Sequence, residues 1–258
     1  MSQLTSATPT AADQIAYLDT AAATPVGRDY KRRALDALDL RPGHAVVDIG
    51  CGPGTDLGRL ADAVQAGGRV VGVDSDARML AEAGRRLADR PTIELRAGDA
   101  HALPLHDSSM DRARMDRVLM HIEDPATVLT EVRRVLRPGG VFAMAEPDWD
   151  TLAVADEDVR TSRGFARFVA GRVRNATIGR DLVRLSVQAG LRVRSVEAVA
   201  VVFRDFDTAD RILGLRRNSA RAVAAGELTD ADVQPWLRRL TDGPLLAGFT
   251  LYLVTAEA

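Results

Sequence analysis

The stretch Val46-Val-Asp-Ile-Gly-Cys-Gly-Pro-Gly-Thr-Asp56 decides the fold of this chain. An apolar, β-branched run ends in an acidic residue and then turns through Gly50, Gly52 and Gly54. This pattern is typical of a buried parallel strand that leads into a helix through a loop with few side chains. Because glycine permits positive φ angles and lets a ligand lie directly on the peptide groups, the loop predicts a nucleotide-like ligand.

Two further strands of the same type follow, and each ends in a carboxylate. Arg69-Val-Val-Gly-Val-Asp74 comes about one βα unit later, and Asp74 at its end can accept both hydroxyls of a ribose. Ile93-Glu-Leu-Arg-Ala-Gly-Asp99 places another carboxylate at the same edge of the predicted sheet. In a doubly wound sheet the carboxyl ends of the strands share one crevice, and ligands bind there.

A dinucleotide-binding Rossmann protein, such as an NAD-dependent oxidoreductase, is one alternative. Its fingerprint is Gly-x-Gly-x-x-Gly, in which the third glycine packs the helix against the strand. Counted from Gly50, that third position is Thr55, and the additional glycine comes one residue earlier at Gly54. The Gly98-Asp99 pair also argues against this alternative.

In this order and spacing, the three stretches resemble the class I S-adenosylmethionine-dependent methyltransferases, from about Arg41 to Glu146. The resemblance implies an α/β fold with a doubly wound, mostly parallel seven-stranded sheet (Rossmann-like methyltransferase fold) and helical lid insertions. It also implies S-adenosylmethionine as cofactor. The cofactor residues that it implies are the loop residues Asp48, Gly50, Cys51, Gly52 and Gly54, then Asp74, Ser75 and Met79 at the ribose and adenine, and Asp99 and Ala100 at the adenine.

The fourth strand, Asp111-Arg-Ala-Arg-Met-Asp-Arg117, departs from the apolar run that the family usually has here. Arg112 and Arg114 share one face of a strand, and guanidinium groups in a central strand must be paired or reach water. Asp116 lies where the strand meets the methionine part of the cofactor. It pairs either with the cofactor's ammonium group or with an arginine, and both interpretations stay open.

Two residues are candidates for acid-base chemistry. Leu119-Met-His-Ile-Glu-Asp-Pro125 resembles the Leu-His-His-x-x-Asp-Pro stretch of the ubiquinone/menaquinone-type methyltransferases, with His121 at the second histidine position. A histidine there can take a proton from an acceptor. Asp148, in Glu146-Pro-Asp-Trp-Asp150, can orient or deprotonate the acceptor. Purely structural roles for both side chains stay open.

The chain is predicted to have two parts, residues 1–40 as an N-terminal tail and helical lid and residues 41–258 as the cofactor-binding domain. Substrate-lid helices are expected near 151–177 and 207–243. The Ser/Thr/Ala/Pro-rich segment 1–12 is expected to be disordered. A small, partly apolar acceptor is expected among aromatic side chains, namely Tyr17, Trp149, Phe165, Phe168 and Trp236.

The composition of the chain limits the classes of partner that we expect it to bind. The 258-residue chain has a net charge of −2 with no basic patch, so no nucleic-acid partner is expected. It has no apolar run of about 20 residues, so no membrane association is expected. Cys51 is the only cysteine, which favours a reducing cytoplasm, and the four histidines lack the spacing of a metal site. Lys31 is the only lysine; this arginine and alanine bias is typical of a GC-rich bacterial genome. A homodimer is left open.

The sequence therefore predicts a methyltransferase that acts at O, N or C of a small-molecule acceptor by in-line displacement, in bacterial secondary or quinone metabolism. The other alternative is a protein that binds S-adenosylmethionine but catalyses a cyclisation or another rearrangement without methyl transfer. The arginines of the fourth strand keep this alternative open.

Overall fold

The structure is a computed structural model that describes residues 10–258. Most of the segment predicted to be disordered lies outside the described residues, but Ala11 and Ala12 form the first turn of a helix. Thr10 caps this helix through a reciprocal capping box with Asp13, which satisfies two backbone N–H groups that the helix leaves free. The expectation of disorder is therefore wrong for Ala11 and Ala12.

Helices and strands alternate along most of the described chain. The strands are β1 Ala45–Ile49, β2 Arg69–Asp74, β3 Ile93–Ala97, β4 Met110–Asp116, β5 Leu136–Val154, β6 Arg192–Phe203 and β7 Ala247–Glu257. The helices are α1 Ala11–Ala23, α2 Pro25–Asp36, α3 Leu57–Val64, α4 Ala77–Arg86, α5 Pro125–Val135, α6 Val159–Gly171, α7 Ile178–Gln188, α8 Phe206–Leu213, α9 Leu215–Ala224 and α10 Asp230–Asp242.

The strands form one seven-stranded sheet in the order β3-β2-β1-β4-β5-β7-β6. The first five strands in the chain pair in parallel, and β7 runs antiparallel between β5 and β6. This confirms the predicted doubly wound, mostly parallel sheet. The order reverses between β1 and β4, so the ligand crevice is expected beyond the carboxyl ends of these two strands.

Burial on both faces explains the apolar strands. All five residues of β1 are buried, and apolar side chains from the sheet pack with helices into clusters on either side. In β4, Ala113 and Met115 point into one of these clusters, whereas Arg112 and Arg114 point to the other face. None of the helices within residues 10–258 has the length and apolar character needed to cross a bilayer.

The helices outside the alternating core fall in three segments of the chain, and their role as lids stays a prediction. Helices α1 and α2 precede β1 and are separated at Thr24, whose side chain caps α2 by accepting from the Gly27 N–H at 2.9 Å. Helix α6 follows β5, and α8, α9 and α10 connect β6 to β7. Helix α1 contacts α4 and α8, so it bridges the two sides of the crevice. The domain boundary at residue 40 stays a prediction.

Candidate active site

A cleft of about 1070 Å³ opens beyond the carboxyl ends of the central strands and beneath α1. Its volume is slightly above the range for small-molecule sites, about 300–1,000 Å³, so it has room for two small ligands. One half is lined by the loops after β1, β2 and β3, and the other by β5, β6, β7 and α8. The 3-10 turn Leu119–His121 lies between these halves.

The glycine loop after β1 forms the floor of the first half. Gly50, Gly52 and Gly54 have φ angles of +69°, +54° and +79°. A Cβ atom on Gly50 would lie 2.5 Å from a methyl group of Val118, and one on Gly54 would lie 2.9 Å from Leu87. At Gly52 the nearest atom would be the Leu18 Cδ1 of α1 at 3.5 Å. Gly50 and Gly54 are therefore required by packing, whereas at Gly52, which lines the cleft, only the positive φ angle favours glycine.

Asp74 at the end of β2 holds this loop in place. Its Oδ2 accepts a hydrogen bond from the Gly52 N–H at 2.8 Å, and its Oδ1 accepts from the Asp76 N–H at 2.9 Å. A carboxylate has about four acceptor positions, so two remain for a ligand. Asp74 lines the cleft, and it can therefore bind the loop and a ligand at the same time.

The other predicted cofactor residues fall into two groups. Ser75, Met79, Asp99 and Ala100 line the cleft together with Gly50, Gly52, Asp74 and Asp116. Asp99 is 68% exposed, and its Oδ1 accepts from the His101 N–H at 2.9 Å. Asp48 of β1 and the loop residues Cys51 and Gly54 are buried and do not line the cleft. These three can support the loop but cannot touch a ligand in the cleft.

A buried network of charges lies directly under the glycine loop. Arg114 Nη1 lies 2.9 Å from Asp48 Oδ1, and its Nη2 lies 2.6 Å from Asp56 Oδ2 and 3.0 Å from Asp116 Oδ2. Lys31 of α2 lies 2.5 Å from Asp56 Oδ2 and also pairs with Asp116. Two interpretations of Asp116 were left open, and the structure supports the pairing with an arginine, because Asp116 pairs with Arg114. Lys31, the only lysine of the chain, extends this network.

This network keeps its charges despite burial. Burial alone would raise the pKa of Asp116, but Lys31, Arg117 and Arg114 hold that pKa below its usual value. Arg114 and Lys31 likewise overcome burial and lower the pKa of Asp56. Burial raises the pKa of Asp48 to about 6, against the attraction of Arg114. Because Lys31 belongs to α2, the network ties the N-terminal helices to the centre of the sheet.

The turn that carries His121 is held from both ends. Glu146 Oε1 accepts hydrogen bonds from the Val118 N–H at 2.8 Å and the Leu119 N–H at 2.7 Å. Asn175 Nδ2 donates to the Leu119 carbonyl at 2.7 Å and the Ile122 carbonyl at 2.6 Å. His121 lines the cleft on this turn. Desolvation by the surrounding atoms and the nearby Arg117 guanidinium lower its pKa, so its ring is neutral at pH 7.

Burial of Glu146 makes stability depend on pH. Burial raises the pKa of this carboxyl from 4.5 to about 8, against the hydrogen bonds from Leu119 and Val118. In the unfolded chain Glu146 loses its proton near pH 4.5, whereas in the folded chain it keeps the proton until about pH 8. We therefore expect its contribution to the free energy of unfolding to decrease as the pH rises through this window.

Urea unfolding between pH 5 and 8 measures this effect when the wild type is compared with Glu146→Gln, which has no proton to lose. The wild type should lose more stability than the variant over this range. Parallel pH curves for the two proteins would contradict the assignment.

Three comparisons with known proteins show what this chain is similar to. The protein-family description "Methyltransferase domain" matches residues 47–144. The chain is 51% identical over 247 residues to an uncharacterized 37.1 kDa protein in transposon TN4556 of Streptomyces fradiae, covering 95% of the chain and 72% of the relative. It is 40% identical over 125 residues to the demethylmenaquinone methyltransferase of Beutenbergia cavernae, covering 47% of the chain and 50% of that relative.

The chain belongs to the class I S-adenosylmethionine-dependent methyltransferases. It spans about half the length of the demethylmenaquinone methyltransferase that it matches. Among solved structures it resembles YcgJ from Bacillus subtilis, with a TM-score of 0.66 at 17% identity over 88% of this chain and 98% of that one. This likeness shows the fold alone.

Asp148 of this methyltransferase does not lie where the sequence suggested. It is buried on β5 and pairs with Arg180 of α7, with 2.7 Å between Oδ1 and Nη2. Successive residues of a strand point to opposite faces, so Pro147 and Trp149 line the cleft while Asp148 points away from it. The assignment of Asp148 as a catalytic residue is therefore corrected to a structural ion pair.

The aromatic wall of the methyltransferase also differs from the expected one. Phe165 and Trp236 are 0% exposed and Phe168 is 4% exposed, and none of them lines the cleft. Helix α6 packs against β5, α9 and α10, so its aromatic face points into the core, where the Trp236 Nε1–H donates to Ser162 Oγ at 2.9 Å. The assignment of these three aromatic residues to the substrate pocket is corrected.

Trp149 and Tyr17 do line the cleft, and sequence reasoning missed the residues that accompany them. Trp149 stacks on Phe249 of β7 at 4.7 Å between ring centroids, and Phe249 packs against Phe203 of β6 at 6.4 Å. Tyr17 lies under the Arg117 guanidinium, 5.9 Å from its ring centroid. The alternating pattern of β6 and β7 marks Phe203 and Phe249 as inward-facing, but it does not indicate that they face a cavity.

Proposed function

We propose that this methyltransferase transfers the methyl group of S-adenosylmethionine to O, N or C of a small-molecule acceptor. The observation that carries the proposal is that one cleft joins the two required halves. The glycine loop, Asp74 and Asp99 line one half, Trp149 and its aromatic neighbours line the other, and His121 lies between them. Both ligands would thus meet at His121.

The residues of the first half fit the cofactor. The space beside the Gly52 Cα, where the nearest atom to an added Cβ would be Leu18 Cδ1 at 3.5 Å, allows the methionine part to lie close to the backbone. Asp74 has acceptor positions left for the ribose hydroxyls after its two backbone hydrogen bonds. Met79 and Ala100 supply apolar contact for the adenine, and Asp99 supplies an acceptor for its amino group. The carboxylates on this side also favour a ligand with a sulfonium charge.

When bound, S-adenosylmethionine supplies a methyl carbon that its sulfonium already activates for displacement. The chain then has to position the acceptor and exclude water. Tyr17 and Leu18 of α1 cover the cleft from above, and Trp149 offers a flat apolar surface. A ring nitrogen of His121, neutral at pH 7, takes the acceptor's proton as the bond to carbon forms.

Methyl transfer is tested by incubating the protein with methyl-tritiated S-adenosylmethionine and a protein-free, small-molecule extract of Streptomyces fradiae cells. We expect label to move to a compound of the extract and an equal amount of S-adenosylhomocysteine to appear. Label transfer should increase with pH and reach half its maximum below the usual histidine pKa of 6.5, because the His121 pKa is lowered. Cofactor binding without S-adenosylhomocysteine would favour a non-methylating reaction instead.

The variant His121→Asn isolates the base. It should bind S-adenosylhomocysteine as the wild type does, transfer label more slowly, and lose the rise of the rate with pH. An unchanged pH profile in this variant would remove His121 from the mechanism while leaving the methyl transfer itself in place.

A further inference from the structure

The charged residues that line the cleft are divided by sign along the chain. Up to Glu123, the described residues of the lining include the carboxylates Asp13, Asp74, Asp76, Asp99, Asp116 and Glu123, with Arg117 as the only arginine. From Pro147 onward the described lining contains three arginines, Arg174, Arg211 and Arg217, and no carboxylate. The sheet order places β5, β7 and β6 on this second side, away from the cofactor loops.

The three arginines are free to bind a ligand. Within residues 10–258 none of them forms an ion pair or a side-chain hydrogen bond, although neighbouring arginines do. Arg216 pairs with Asp210 at 2.9 Å, and Arg180 pairs with Asp148. Arg211 and Arg217 come from α8 and α9, whereas Arg174 comes from the segment between α6 and α7. Separate segments of the chain thus bring unpaired positive charge to the lining of one cleft.

The surface next to these arginines is apolar. Trp149, Phe203 and Phe249 form a continuous aromatic set, and Val201, Leu251 and Ile212 complete the wall. Such a wall favours a flat or branched apolar body, whereas guanidinium groups favour a carboxylate or phosphate. An uncharged apolar ligand would leave the arginines without a role.

We propose that the acceptor is an anionic amphipath, with an apolar body against Trp149 and Phe249 and a carboxylate or phosphate bound by Arg174, Arg211 and Arg217. This inference rests on the proposed function and names the class of its acceptor. The arginines bind and orient the acceptor and take no part in the chemical step.

The test uses fluorescent naphthalene probes of different charge, titrated into the full chain saturated with S-adenosylhomocysteine and also into the chain alone. The probes are 6-hydroxy-2-naphthoate, the neutral 6-hydroxy-2-naphthamide and 2-naphthyl phosphate. We expect at least one of the two anions to bind about tenfold more tightly than the amide, as for a charge-assisted hydrogen bond. The anion that binds more tightly distinguishes carboxylate from phosphate recognition.

The variant Arg174→Gln/Arg211→Gln/Arg217→Gln should reduce this preference to less than threefold and leave binding of the amide unchanged. The matched control is Arg160→Gln/Arg163→Gln/Arg167→Gln, which removes three exposed arginines of α6 outside the cleft and should keep the full preference. Circular dichroism checks that each variant is folded. Equal binding of anions and amide by the wild type, no binding of any probe, or a preference that survives in the triple variant would overturn the inference. Failure of the proposed function is distinguishable, because it would abolish the transfer of label from S-adenosylmethionine without affecting the preference for anions in the chain alone.

Discussion

Replacing Asp74 with alanine is expected to weaken binding of S-adenosylhomocysteine by about a hundredfold, as measured by isothermal titration calorimetry. The carboxylate would accept both ribose hydroxyls, and hydrogen bonds to charged groups contribute about 1.5–3 kcal/mol each. Losing about 3 kcal/mol corresponds to roughly a hundredfold in affinity. The variant also loses the bond from the Gly52 N–H, so the glycine loop becomes less well ordered before it binds the ligand.

The matched control is Asp76→Ala, an acidic residue two positions further along that also lines the cleft. Asp76 caps α4 by accepting from the Arg78 N–H at 2.9 Å, so its loss should lower the free energy of unfolding by about 1 kcal/mol. Its effect on ligand affinity should be small. A folded Asp74→Ala protein whose affinity stays within threefold of the wild type would refute the assignment of this half of the cleft to the cofactor.

Replacing Arg114 with methionine should lower the free energy of unfolding by about 3–5 kcal/mol, as measured by urea denaturation at pH 7. Arg114 bridges Asp48, Asp56 and Asp116, and its removal leaves three buried carboxylates with Lys31 as the main remaining cation. Methionine fills much of the volume, so the loss comes from unpaired charge rather than from a cavity. Because the free energy of unfolding is typically about 5–15 kcal/mol in total, this loss would be a large fraction of it.

The control for this effect lies two residues earlier on the same strand. Arg112 is also largely buried, but it donates to carbonyl oxygens, including those of Leu38 at 2.5 Å and Asp111 at 2.9 Å. Arg112→Met should therefore cost only about 1 kcal/mol, since it leaves no carboxylate buried without a partner. Equal losses for the two variants would show that the charge network contributes no more to folding than ordinary hydrogen bonds.

Local patterns were sufficient for the part of the site made by consecutive residues. The run before Gly50 predicted β1, and the acidic residues after β2 and β3 predicted which side chains reach the crevice. Asp74 and Asp99 do line the cleft. These predictions succeed because a parallel strand delivers its last residues to a known edge of the sheet, whatever the remainder of the chain does.

The same kind of reasoning failed where the direction of one side chain mattered. Asp148 and Trp149 are adjacent, and only the register of β5 decides that Trp149 faces the cleft while Asp148 faces Arg180. The sequence suggests Phe165 and Trp236 as pocket residues, because aromatic side chains on lid helices can form the wall of a pocket. They instead pack against each other at 5.2 Å in the core.

By itself, the sequence determined the parallel sheet, the glycine loop and the order in which acidic residues arrive at its edge, because these depend on short-range periodicity and on the backbone freedom of glycine. Only the tertiary structure decided that Lys31 joins Arg114 in one buried network, that Glu146 and Asn175 hold the turn of His121, and that Arg174, Arg211 and Arg217 line one cleft. These groups come from segments far apart in the chain. Their proximity depends on how the helices and strands pack, which no local pattern encodes.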